Sequence, residues 1–446
     1  MAQAGEAEAI KRRTGAIRHL DAVRARELVA AFARPAVADG RGIGFDREEP
    51  VARQTHGCLT LEQSLDRQGS ATAVGHYKTH LYLHGLERLP LSVARELSRH
   101  RGHLYLDRLT TITPAVAAEL AAHVAGGISL NNLRRLPAVV AAALGRHGGE
   151  LSLDRVARLG DAAARGLGQH ANRLDLNGVT ALSPPVAAAL SRHSGDLFLG
   201  GLTRLSPRAA RHLARHRGQI HLHGLTALGD SAARALGCRR GFLCLKNVRE
   251  LPPRQARAIA GHVGPLHLYS VEVDDVVAEC LGRHAGSLLL HVPQHLRLDR
   301  LEALVRHRGP LALVGLRTLD ARRAAVLAAQ PLLPGGAGLS ALFIDDVEWI
   351  APGVAEILAG HRAGGLSLRG LRVLSEDVAA TLVRHQILAL DGVTSVTDRV
   401  AAILATHSGA SLSLLGLEHA SRAALARLEA NPGIDLPRRL LERADG

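Results

Sequence analysis

Residues 103–126 read HLYLDRLTTITPAVAAELAAHVAG, residues 173–195 RLDLNGVTALSPPVAAALSRHSG, and residues 196–218 DLFLGGLTRLSPRAARHLARHRG. Their shared skeleton is LxLxxLxxLxxxxAxxLxxHxG. With the first Leu-type residue of each LxL as origin, origins fall at 59, 81, 104, 128, 151, 174, 197, 220, 243, 266, 288, 311, 342, 366, 388 and 412, which makes sixteen units. Nearly all steps are 22 to 24 residues, and the exception is 311 to 342, where AAQPLLPGGAG lengthens the unit. A period in this range marks stacked repeats rather than one globular centre.

Each unit carries two periodicities. The LxL segment alternates apolar and variable residues, as a short strand does. The second half spaces its apolar residues as a helix does, for example Val116, Ala117 and Leu120. Thr113-Pro114, Ser183-Pro184 and Ser206-Pro207 supply an N-cap followed by proline at the first helical position. His123 with Gly126, and His193 with Gly195, read as helix stops. Neither half can bury its apolar face alone, and stacking solves this, with the helix as the crossover between parallel strands.

On these residues the chain resembles the leucine-rich-repeat family, in a bacterial variety with a repeat of about 23 residues, over residues 59 to 435. The resemblance implies an α/β solenoid or horseshoe, with a parallel sheet on the concave face and short helices on the convex one, and a binding role. The Asn that usually ladders the turns of such repeats is replaced by Leu or Val, as at Leu109, Val179 and Leu202. Around the array, 1–57 is expected to form a helical and irregular N-terminal cap, 58–435 the repeats, and 436–446 a charged tail; the stretch 421–446 is read as keeping the helix but losing the next LxL. The Pro- and Gly-rich stretch 330–339 reads as a surface loop, with a joint between sub-arrays as the other reading.

Composition agrees. Apolar residues make up 47% of the chain, yet there are only five Phe, four Tyr and one Trp, which suits thin layers of Leu, Val, Ile and Ala. The net charge is +14, carried by Arg, with Lys only at 11, 78 and 246. That bias fits a GC-rich bacterial genome, while the sign favours an acidic partner. Four cysteines at 58, 238, 244 and 280 show no CxxC pair, so a reduced, cytoplasmic protein is expected. Neither a signal-peptide pattern nor an apolar run of membrane-spanning length is seen.

Three rows of residues invite chemistry. A histidine near the helix end recurs at 100, 123, 147, 170, 193, 216, 262, 284, 307, 361, 385 and 407. Stacked side chains do not converge on a metal, so each is read as closing its own helix, donating to terminal carbonyls and complementing the dipole. Arg flanks that His, as in Arg99-His100-Arg101, Arg215-His216-Arg217 and Arg306-His307-Arg308, giving a basic rim. Without interleaved aromatics it reads as a solvated edge, and nucleic acid or another anionic surface is the alternative partner. The third row lies on the strands. Six of the ten aromatics (Tyr82, Tyr105, Phe198, Phe242, Tyr269, Phe343) fall at strand positions facing away from the core. The partner-binding residues expected there are Tyr82, His84, Tyr105, Asp107, Asp175, Asn177, Phe198, His221, His223, Phe242, Lys246, His267 and Tyr269.

No nucleotide, metalloprotease or serine-hydrolase motif occurs. Asp274-Asp275 and Asp345-Asp346 are adjacent carboxylates, but neighbouring side chains on a strand or turn point apart. A non-catalytic protein-binding scaffold with no cofactor and no metal is therefore expected.

Overall fold

In the computed structural model, residues 20–26, 80–123, 126–331, 341–361, 364–437 and 440 are described. The first repeat origin, Leu59, and most of the 330–339 insertion lie outside them, as do most of the N-terminal segment and the charged tail. The chain divides into two compact units, meeting in sequence at Val248 and Arg249.

In the first unit eight short strands, from Leu81–Tyr82 to Leu243–Cys244, pair in parallel in chain order. Equivalent origins face one another: Leu81 pairs with Leu104, Leu104 with Ile128, and so on to Ile220 with Leu243. Seven helices of seven or eight residues alternate with them, from Leu91–Leu97 to Asp230–Gly237. The core is a row of identical layers. In one of them Leu104, Leu106 and Leu109 from the strand side meet Val116, Ala117 and Leu120 from the helix, all at most 2% exposed. At the Ala117 position stand Ala94, Ala141, Ala164, Ala187, Ala210 and Ala233, each fully buried. Only a methyl fits where helix backbone lies on the sheet, and a larger side chain there would overpack the layer. At the start of this unit, residues 22–26 form a helical turn with Leu20 and Ala25 buried. Arg26 reaches across to Glu96 at 2.9 Å, and Glu96 also takes Arg99 at 2.9 Å.

The second unit repeats the plan with eight parallel strands, Leu266–Leu268 to Ile434–Asp435, and eight helices. Origins again align, Leu288 with Leu311, Leu311 with Leu342 and Leu388 with Leu412, so the long unit keeps register across its insertion. One expectation is corrected. The segment after the last helix does form a strand: Ile434 and Asp435 pair with Leu412 and Ser413. Ile434-Asp435-Leu436 is an Ile-type LxL one period after Leu412, and Ile434, 8% exposed, takes the origin's place in the core.

The capping signals work as read. Thr113, Ser183 and Ser206 accept from the backbone N–H three residues on, at 3.2 to 3.3 Å. No helix among the described residues is long and apolar enough to cross a membrane.

Candidate functional site

The helix-end histidines are buried, between 0 and 5% exposed. In the first unit neighbouring rings run nearly parallel at centroid spacings of 5.5 to 6.3 Å, from His100 to His216. The hydrogen bonds of four of them correct the sequence reading, because the carbonyls they meet belong to the preceding repeat, whereas His170 Nε2 meets Arg173 O at 3.3 Å. His123 places Nε2 2.9 Å from Gly102 O and Nδ1 3.4 Å from Ser98 O, and His193 Nε2 lies 2.7 Å from Asn172 O. In the second unit His407 Nε2 meets His385 O at 3.0 Å and His284 Nδ1 meets Ala260 O at 3.3 Å. Burial also overturns the dipole role. Desolvation pushes His147, His193, His216, His307, His361 and His385 down to about 4, so at neutral pH these rings are uncharged.

Three repeats place another residue at this position. Arg239, 1% exposed, donates to Leu213 O, His216 O, Gly218 O and Phe242 O. Gln330 donates to Gly309 O at 2.9 Å and accepts from His361 Nε2 at 3.2 Å. Asn431 donates to Ala405 O at 2.9 Å and His407 O at 2.7 Å. Arg239, Gln330, Asn431 and several of the histidines thus point a side-chain N–H back one repeat. It satisfies turn carbonyls that stacking removes from water.

A second row staples the other end of the strands. Asp107 Oδ1 accepts from Ser129 Oγ at 2.5 Å and Asn131 N at 3.0 Å, and Asn131 Oδ1 from Ser152 Oγ at 2.7 Å and Asp154 N at 2.9 Å. Asp154 Oδ1 then accepts from Asn177 N at 3.1 Å, and Asn177 Oδ1 from Gly200 N at 2.8 Å. Asp107 and Asn177, expected to bind a partner, are therefore tied into the turns of the next repeat. The ladder missing at 109 and 179 is supplied two residues earlier, by Asp107 and Asn177, whereas the residue two before Leu202 is Gly200.

The outward strand positions of the first unit form two ring clusters. In the first, Tyr82 and Tyr105 stack at 4.4 Å and 9°, and His103 stacks on Tyr105 at 4.5 Å. His80 and His84 approach Tyr105 at 6.0 and 6.2 Å. All five are partly exposed. Burial drives His103 down to about 3, and raises the Tyr105 hydroxyl with help from Tyr82. Burial also lowers His80, so the rings on either side of the tyrosine pair at His80 and His103 stay neutral.

The second cluster is more enclosed. Arg173 grips Asp175 through Nε and Nη2 at 3.0 to 3.2 Å and lies 4.2 Å over the Phe198 ring. Phe198 stacks on His221 at 3.9 Å and 6°, and His221 leans on Phe242 at 5.0 Å. Burial raises the Asp175 carboxyl to about 6 although Arg173 opposes it. Here the expectation of exposed rings fails, since Phe198 is 8% exposed, His221 3% and Phe242 4%. Rings on adjacent strands cover each other, as cross-strand pairs do. His223 and Lys246 remain partly exposed at the margin.

In the second unit His267 is buried at 1% and Tyr269 is partly exposed, packed against His291 at 5.1 Å. These last two rings edge a cleft of about 510 Å³ shared with Arg317, Asp345, Asp346 and Arg372. The paired carboxylates serve the backbone: Asp346 accepts from Gly315 N at 2.6 Å and Asp345 from Arg369 N at 3.1 Å. Asp274 caps a helix through Val277 N at 2.7 Å, and Asp275 meets Arg300 at 2.6 Å.

No family model matches the chain, and no curated protein does. Among solved structures, the chain is similar to a chain of the Toll–Spatzle complex of Drosophila, at 14% identity and a TM-score of 0.38, over 80% of this chain and 43% of that one. It is also similar to an internalin (InlF) from Listeria monocytogenes, at 14% identity and a TM-score of 0.36, over 66% of this chain and 88% of that one. The chain thus spans less than half the length of the Toll-complex chain it matches. Within each unit, strand order, aligned leucine origins and one short helix between consecutive strands make the described residues an α/β solenoid of leucine-rich repeats.

Proposed function

We propose that the chain is a non-catalytic scaffold that binds a protein partner on the strand face of its first unit. The observation that carries this reading is the platform of Tyr82, Tyr105 and His103, three stacked, partly exposed rings flanked by His80 and His84. Tyrosine rings amid polar groups supply large contact area at little conformational cost, as interface anchors do. The two staple rows fix the strands beneath, so binding need not order the surface. The chain's charge of +14 favours a partner of net negative charge, and its cysteines at 238, 244 and 280, none of them in a disulfide, suit a reducing cytoplasm.

Replacing Tyr82 and Tyr105 together by Ala is expected to weaken capture of the partner from lysate at least tenfold, with circular dichroism unchanged. Undiminished capture would contradict the reading. A second reading has its own observation, because the arginines beside the buried histidines (Arg101, Arg146, Arg192, Arg215 and Arg217 in the first unit) are all exposed. Binding of an anionic polymer through that row would fall steeply as salt rises, whereas binding through the ring platform would fall little.

A further inference from the structure

We infer that His221, His223 and Cys244, on the strand face of the first unit, form a binding site for a transition-metal ion of the Zn²⁺ class. One nitrogen of each histidine and Sγ of Cys244 all lie within 4.8 Å of one another. The fold produces this convergence by register. His221 and Cys244 are directly paired across parallel strands, and His223 follows two residues on, hence on the same face. That arrangement differs from the helix-end histidines, which lie parallel and meet carbonyls.

The donors are partly preorganised. The His221 ring is held between Phe198 at 3.9 Å and Phe242 at 5.0 Å. Asn247 Nδ2 donates to His223 O at 2.6 Å, fixing the backbone that carries the second imidazole. His223 Nε2 is buried and meets no hydrogen-bond partner among the described residues, so a cation would satisfy it. Tetrahedral Zn²⁺ with N and S ligands wants donor–donor separations of about 3.4 to 3.6 Å, which small χ rotations supply from the observed spacing. Two imidazoles and a thiolate select borderline ions such as Zn²⁺ and Co²⁺, or soft Cu⁺, over Mg²⁺ or Ca²⁺, which want oxygen. Three protein ligands leave a fourth position for water or a group from a bound molecule. Binding replaces the Cys244 S–H by an S–metal bond and releases one proton per ion.

Titration of the untagged full chain with Co²⁺ tests the site. One equivalent is expected to bring up a thiolate-to-cobalt charge-transfer absorption, which Zn²⁺ displaces. Cys244→Ser should abolish that absorption, and His223→Gln should weaken Co²⁺ binding at least tenfold with the fold intact by circular dichroism. Should Cys244→Ser fail to fold, the His223→Gln titration decides alone. Absence of the charge-transfer absorption at saturating Co²⁺ overturns the inference. So does its persistence in Cys244→Ser, which would assign it to another cysteine, or an unaltered affinity in His223→Gln.

Discussion

Acidification from pH 7 to pH 5 is expected to unfold the repeat array. The cause is the helix-end row, whose rings are buried and neutral. In the unfolded chain a histidine titrates near 6.5; in the folded chain His147, His193 and His216 of the first unit, and His307, His361 and His385 of the second, are held at about 4. A depressed folded value means the unfolded state binds protons first as pH falls. Stability is therefore whole above about pH 6.5 and lost progressively between about 6.5 and 4. At pH 5 each such group costs the folded state about 2 kcal/mol, so three per unit remove about 6 kcal/mol. That rivals the whole net stability of a domain, about 5–15 kcal/mol. The check is the urea midpoint against pH, which should fall steeply below 6.5. Gln330 shows that an amide fits this position, so His193→Gln should keep the fold and flatten the slope by one proton's share. A midpoint that does not move between pH 7 and 5 would refute the neutral row.

Arg239→Ala is expected to be the most damaging single change in the first unit. The guanidinium is 1% exposed, and burial lowers it only to about 10, so it is charged at neutral pH. Among the described residues its recorded partners are four carbonyl oxygens, with no carboxylate. Truncation to Ala removes the donors from those carbonyls and leaves a cavity the size of the side chain, at a cost of about 3–5 kcal/mol. His216, which sits next to this cation in the row, would at the same time lose the charge that helps depress it. Arg239→His restores the residue that the other repeats of this unit use, and should recover most of that loss. Thermal unfolding of the three proteins separates the outcomes. An Ala variant within 1 kcal/mol of the parent would show that the carbonyls need no partner.

The repeat itself was legible because Leu at 81, 104, 128 and onward must occupy one line for the layers to close, and register follows from it. Helix starts were legible for the same kind of reason, since an N-cap acts within three residues. What one unit does to the next was not. The histidines could be seen to form a row, but the carbonyls that His123 and His193 meet are 21 to 25 residues upstream, so they read as closing their own helices. Arg239, Gln330 and Asn431 carry the same role with unlike side chains, and only counting register from the strand origin finds them. Exposure on the strand face was the least readable quantity. Outward position follows from alternation, but Phe198 and His221 pair directly across strands, and Phe242, two residues before His221's partner Cys244, leans on His221 diagonally, so the three bury one another. The half-open Tyr82 and Tyr105 pair, with the same alternation, has no such enclosure.

Hydroxyl-radical footprinting of the captured complex tests most directly whether that ring platform is where the partner sits. Leu91, 41% exposed, and Val139, 63% exposed, lie on helices and serve as internal references. The scaffold reading predicts that Tyr82 and Tyr105 lose most of their reactivity on complex formation while Leu91 and Val139 keep theirs. Protection of Leu91 and Val139 with both tyrosines still reactive would place the partner on the helix side and contradict it.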